Sequence, residues 1–193
     1  VISLGTGNPQ PSSGEPADLG PGQELNDVAM EFGLNWVKST LEPSLQSRIF
    51  MASPFLYTAM TDLRPTLTRT LEKTGLTKKE VIAIPICLKG HWVGDLMTQN
   101  VCTTKPVERM FIIDSLQSLG LLHSDIYQTV KNRVNLARET AGMASYDEQA
   151  LAWNTLDVPQ QTNGFDCGIH VLENLRLLIN TWAAEVETTW PGA

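Results

Sequence analysis

The sequence has no run of about 18 apolar residues, so nothing in it reads as a membrane-spanning helix. It is also short of positive charge. Against 21 Asp and Glu it sets 14 Lys and Arg, for a net charge of −7 and a pI near 4.9. That balance argues against nucleic-acid binding, which needs clustered Lys and Arg to meet phosphates. Cysteine is scarce: Cys87, Cys102 and Cys167 cannot all pair within one chain and show no C-x-x-C spacing. Neither a disulfide framework nor a metal site is therefore expected, and no cofactor is implied. A reducing compartment inside a cell, nucleus or cytoplasm, suits such a chain. Histidine is equally sparse, with only His91, His123 and His170. The chain starts at Val1 and lacks a charged-then-apolar leader, so it reads as a fragment whose targeting signal could have been trimmed.

What is present is a globular composition, 42% hydrophobic and 18% charged over 193 residues, enough for one domain plus a tail. Residues 1–22 hold four Pro and five Gly with little periodicity. They read as a flexible N-terminal arm, leaving 23–193 as the folded domain. Asn26 or Asp27 can cap a first helix whose stripe Val28, Phe32 and Trp36, with Ala29 and Val37 alongside, predicts core packing. Around Pro54, apolar residues 47–60 predict a turn docking on the core. A short helix is expected from Leu67 to Lys73, closed by Gly75.

The pattern then changes. Val81 to Leu88, His91 to Met97 and Met110 to Asp114 are short β-branched or aromatic runs, the first two split by Lys89-Gly90. Successive strands without intervening helices predict an antiparallel sheet. Pro85 places its part of the first strand at an edge or a bulge. Within the second, the Asp95 carboxylate must face solvent or find a partner. Ser124 or Asp125 is expected to cap a helix with apolar Ile126, Tyr127, Val130, Val134 and Ala137, ending near Gly142. A strand follows at Ala152 to Leu156. The last helix opens at Cys167 and carries the stripe Ile169, Leu172, Leu175, Ile179 and Trp182.

A cysteine at a helix start sits where unpaired N–H groups and the positive end of the macrodipole stabilise a thiolate. The plain alternative, a small buried thiol, is equally compatible with the local sequence. A cysteine nucleophile also needs a base and a group to orient it. His123 reads as part of a polar turn, and His170, three residues after Cys167 on the same helix, would be held sideways. His91 opens a strand after a glycine turn, and Asp114 closes a neighbouring strand, where its carboxylate could accept from the imidazole. Gln161 precedes Cys167 across the turn Thr162-Asn163-Gly164. Its amide, or that of Gln160, could join the Cys167 backbone N–H in stabilising an oxyanion.

The set His91-Trp92, Ile113-Asp114-Ser115 and Gln161-x-Asn163-Gly164-x-Asp166-Cys167-Gly168 resembles the ubiquitin-like-protein-specific cysteine proteases of the SUMO-protease type. The order His, Asp, Gln, Cys matches that group, Leu25-Asn26-Asp27 with Phe32 looks like its opening motif, and Ser53-Pro54-Phe55-Leu56-Tyr57 falls where the family has an aromatic segment. The resemblance covers roughly residues 23 to 182. It implies an α+β fold, a papain-like variant with the Cys helix packed on a mainly antiparallel sheet. It further implies Cys167 as nucleophile, His91 as base and acid, Asp114 as orienter and Gln161 as oxyanion donor.

Partners implied by the resemblance are a ubiquitin-like modifier, SUMO before ubiquitin or a Nedd-type protein, and its conjugates, handled by a monomer. Trp92 would cover the Gly-Gly tail of the modifier in a narrow tunnel, with Asn163 and Gly164 along the same path. Where the family usually has a tryptophan on the other tunnel wall, this chain has Glu24, which bears on tail selection. A divergent host enzyme and a pathogen effector secreted into a host cell both fit that departure. Two other readings carry the same residues: an acetyltransferase using a His, Asp and Cys set, and an inactive module that holds a modifier. The first would need an acyl-CoA-binding region and a basic surface, and neither is visible in the sequence.

Overall fold

Lys89 and Gly90 both take positive φ, 53° and 79°. They form a two-residue hairpin loop of the kind that matches the twist of its flanking strands. That turn joins β2 (Val81–Leu88) to β3 (His91–Thr98) in antiparallel register from Leu88 opposite His91 to Val81 opposite Thr98. The computed structural model describes residues 22–62, 67, 71–99, 109–116, 120–146 and 151–189. The arm, except Gly22, and Cys102 lie outside the described residues.

Among the described residues the sheet has five strands, in sequence order. Its centre is antiparallel, β3 pairing with β4 (Arg109–Ile113) as well as with β2. Its edges are parallel: β1 (Ile49–Met51) lies along Val81–Ala83 of β2, and β5 (Ala152–Thr155) along β4. β1 stops short of Pro85, so no strand on that side needs the N–H that proline lacks. The mainly antiparallel sheet is thus present, with parallel strands at its two margins.

Alternation along the strands divides the apolar side chains between two helical layers. Val93, Met97, Ile82, Ile84 and Ile112 face α3 (Leu56–Thr61) and the long α4 (Gly120–Thr140). Trp92, Leu96, Val81 and Ile113 face α1 (Asp27–Thr40) and α5 (Cys167–Thr189), with α2 (Pro43–Arg48) at the margin through Leu45. Pro54 and Phe55 form a turn into α3, and Gly75 stands at φ 67° after helical residues 71–73.

Three expectations about helices are corrected. The α1 cap is Asn26, whose Oδ1 accepts from Ala29 N–H at 2.8 Å. The face of α1 that is buried, however, is Met30, Gly33, Leu34 and Val37, while Val28, Phe32 and Trp36 are 72%, 74% and 53% exposed. Gly33 explains the choice: a Cβ there would stand 2.3 Å from Leu172 Cδ1, so only a glycine face lets α5 approach so closely. On α5, Leu172, Leu175 and Ile179 are buried as expected, but Ile169 is half-exposed. Ser124 and Asp125 do not cap α4, which starts at Gly120 and carries both residues on its surface.

Candidate active site

The two-residue hairpin puts His91 on the first residue of β3, and β4 ends at Ile113, so Asp114 leaves the sheet beside it. Both side chains fall on the α4 face, and the imidazole Nε2 meets Asp114 Oδ1 at 2.8 Å. Cys167 reaches the imidazole from α5, which covers the opposite face, by approaching around the strand ends. There the His91 imidazole and the backbone N–H groups of Trp92 and Gly168 all act on the thiol to favour its charged form.

The electrostatics follow from these contacts. Burial would raise the Cys167 pKa, but the hydrogen bond and charge of His91 together with the two backbone donors outweigh it and hold the thiol below its ordinary value. Burial would lower the His91 pKa; hydrogen bonds to Asp114 and Cys167 overcome it and raise the imidazole to about 9. Asp114, though wholly buried, is held well below the usual carboxylate range by donors from His91, the Leu116 N–H and His123. The set therefore favours thiolate, imidazolium and carboxylate together. Cys87, exposed near the end of β2, is the contrast: partial burial of its sulfur and the charge of Asp27 push its pKa up.

His123 is a correction. It is not in a polar turn but in the first turns of α4, 4% exposed, with Nε2 at 3.0 Å from Asp114 Oδ2. Its Nδ1 lies 3.2 Å from Thr155 Oγ1 on β5. His170 is half-exposed and is not among the thiol's partners.

Gln161 is buried, and its carboxamide is fixed at both ends. Ser115 Oγ donates to Oε1 at 2.6 Å, and Nε2 donates to the Asn163 carbonyl at 2.7 Å. Its backbone N–H also donates to the Ser115 carbonyl, tying the turn to the end of β4. Gln160 spends its amide elsewhere, on the carbonyls of Val158 (2.8 Å) and Asp114 (3.3 Å). Asn163 builds the turn: Oδ1 accepts from the N–H groups of Phe165 and Asp166, and Nδ2 donates to Asp166 Oδ2 at 2.6 Å. Gly164 is exposed, with open space around it.

Trp92 is 2% exposed, and its indole N–H donates to the Leu25 carbonyl at 2.7 Å. Leu25 in turn sits on Gly168, where a Cβ would stand 2.8 Å from Leu25 Cδ1. The segment before α1 is thereby fastened across the start of α5. Glu24 is exposed beside the hairpin turn, its carboxylate 3.8 Å from where a side chain on Gly90 would begin.

Sequence reasoning missed Ser115 as the group that orients Gln161, the Trp92 backbone donor, the Leu25 carbonyl and His123. Only His123 left a chemical signal, and it was obscured by the misplaced start of α4.

The chain matches the model of the Ulp1 protease family, C-terminal catalytic domain, over residues 23–187. It is 25% identical over 179 residues to ubiquitin-like-specific protease 2 of Saccharomyces cerevisiae, covering 79% of this chain and 17% of that protein. To the probable ubiquitin-like-specific protease 2B of Arabidopsis thaliana it is 22% identical, over 83% of this chain and 20% of that protein. The chain thus spans about a fifth of the length of these curated relatives. Among solved structures, that of a de-sumoylating protease superposes with a TM-score of 0.67 at 25% identity, over 81% of this chain and 62% of that one. The Xanthomonas campestris effector XopD, solved bound to ubiquitin, shares the fold with a TM-score of 0.57 at 17% identity, over 89% of this chain and 84% of that one.

Proposed function

The chain belongs to the Ulp1 protease family, and from that premise we propose that it is a cysteine peptidase. It cleaves after the C-terminal tail of a ubiquitin-like modifier, SUMO before ubiquitin or a Nedd-type protein, to mature the precursor or release it from a lysine. One observation carries the reading: a thiol at a helix start whose pKa is lowered by an imidazole, itself bonded at 2.8 Å to a buried carboxylate. The likeness to a de-sumoylating protease at 25% identity supports the substrate class.

In this mechanism the Cys167 thiolate attacks the carbonyl carbon of the terminal glycine. The resulting oxyanion takes hydrogen bonds from the Gln161 amide and the Cys167 N–H, one of the first N–H groups of α5 that lack a helical acceptor. His91, as imidazolium, protonates the departing amine, leaving a thioester on Cys167. It then takes a proton from water, whose oxygen attacks the thioester, releasing the tail as a carboxylic acid and the thiol. Asp114 keeps the imidazole oriented and its charge compensated. Gln161 is favoured over Gln160 because Gln160 Nε2 is already committed to two carbonyls.

The modifier tail would pass beside Trp92, Glu24, Asn163 and Gly164. Glu24 would border its path with a charged residue, and Asn163 would serve by holding the turn. A free thiol nucleophile is most readily kept reduced inside a cell, which supports a nuclear or cytoplasmic setting for the proposed enzyme. Among the described residues no helix is long and apolar enough to cross a membrane.

Modifiers bearing a C-terminal electrophile test the reading, with SUMO, ubiquitin and a Nedd-type modifier run in parallel. A covalent adduct with at least one is expected, and Cys167→Ala should abolish it. Gln161→Ala should slow turnover by about 10²–10³-fold. No adduct with any of the three would overturn the proposal.

A further inference from the structure

Asp114 is shared between two imidazoles. His91 takes Oδ1 at 2.8 Å, together with the Leu116 N–H at 3.0 Å, and His123 takes Oδ2 at 3.0 Å from the far side. The carboxylate is fully buried, so no water competes for either oxygen, and His123 is itself 4% exposed. Asp114 as a carboxylate only accepts, so His123 Nε2 must carry the hydrogen of this contact. With the proton on Nε2, Nδ1 is left to accept, and the Thr155 hydroxyl stands 3.2 Å away to donate to it. The carboxylate therefore sets which nitrogen of His123 carries this hydrogen, α4 presents the ring to it, and Thr155 on β5 holds the other nitrogen. Nothing in the peptide-bond chemistry needs this second imidazole. It has no path to the thiol except through Asp114.

We propose that His123, held by Thr155, is a positioning residue that fixes the rotation of the Asp114 carboxylate and so the aim of His91 at Cys167. The proposal rests on the reading of Cys167 and His91 as nucleophile and base. Without the donor on Oδ2, the carboxylate is fixed on one oxygen only, and its plane can turn away from the imidazole. Partners one bond behind a reacting group commonly contribute about 10–100-fold when removed.

The test compares single variants with double variants made in an Asp114→Ala background. Rates are read as kcat and KM on a modifier with a fluorogenic C-terminal group, and as alkylation of Cys167 by iodoacetamide, which needs no modifier. His123→Leu removes the donor and is expected to lower kcat about 10-fold with KM nearly unchanged, and to slow alkylation in parallel. His123→Gln keeps an amide donor for Oδ2 and an acceptor for Thr155, and should recover most of the loss. In an Asp114→Ala background, His123→Leu should cost nothing further, because it acts only through that carboxylate. A packing role alone would instead be additive with Asp114→Ala and would not distinguish Gln from Leu.

Wild-type rates in His123→Leu, or an equal loss in the Asp114→Ala background, would overturn the proposal. If His123→Leu fails to fold, Thr155→Val carries the test: a kcat loss that vanishes with Asp114→Ala supports the proposal, and an unchanged or additive kcat overturns it. His91→Ala separates the two claims. If it leaves alkylation of Cys167 unchanged, the nucleophile-and-base reading fails; if it slows alkylation while His123→Leu does not, only the role of His123 fails.

Discussion

Asp95 shows how much a single side chain can cost. It faces the α4 layer from the middle of β3, wholly buried, and neither carboxylate oxygen has a hydrogen-bond partner among the described residues. The sequence allowed it solvent or a partner, and it has neither; protonation resolves the conflict, since burial raises its pKa well above the ordinary value. A raised carboxyl stabilises the fold fully below the unfolded pKa near 3.9, and that contribution is lost as pH rises through the folded value. Asp95→Asn should therefore be more stable than the parent at pH 7 by about 1–3 kcal/mol, with the gap closing toward pH 4. Urea unfolding at the two pH values measures it, and an equal gap at both would show that Asp95 does not titrate this way. His91, Asp114, Gln161 and Cys167 were legible because each stands at the end of a strand, turn or helix start marked by local sequence. His123 was not, because Ser124 and Asp125 resemble caps and concealed a helix beginning earlier.

At the level of elements, α1 carries two apolar stripes, and spacing alone does not tell which one packs. Val28, Phe32 and Trp36 repeat every four residues as cleanly as the buried set, yet the buried side is the one with Gly33. The missing side chain, not the large ones, decides which face meets Leu172. Phe32→Ser should change stability by no more than about 0.5 kcal/mol, as for an exposed site. Gly33→Val should cost several times more, since its side chain would begin 2.3 Å from Leu172 Cδ1. Thermal unfolding of the two variants compares them directly; equal losses would mean that the exposed stripe is packed after all. The strands were easier to place because Lys89-Gly90 and the apolar runs leave little choice of register, whereas the parallel margins depend on pairings across long connections that local patterns do not encode.

For the whole molecule, the two layers serve different parts of the site. The α4 layer holds His91, Asp114 and His123, the α5 layer supplies Cys167, and the strand ends are where they meet. On the proposed reading, their coupling sets a pH window for catalysis. kcat/KM should rise as Cys167 loses its proton, at a pH below the usual thiol value, and fall as His91 loses its own near pH 9. A pH series on a fluorogenic modifier checks this, and an alkaline limb near 6.5 would show that His91 is not raised by its partners. The linear order of the site has a further effect during synthesis. His91, Asp114 and their sheet leave the ribosome well before Cys167, which opens the last described helix. Until α5 emerges, Trp92, Leu96 and Ile113 lack their main cover, and no thiolate exists at the site. On the proposed reading the nascent chain is thus silent but sticky, and the step that buries its exposed sheet face is the same one that completes the site.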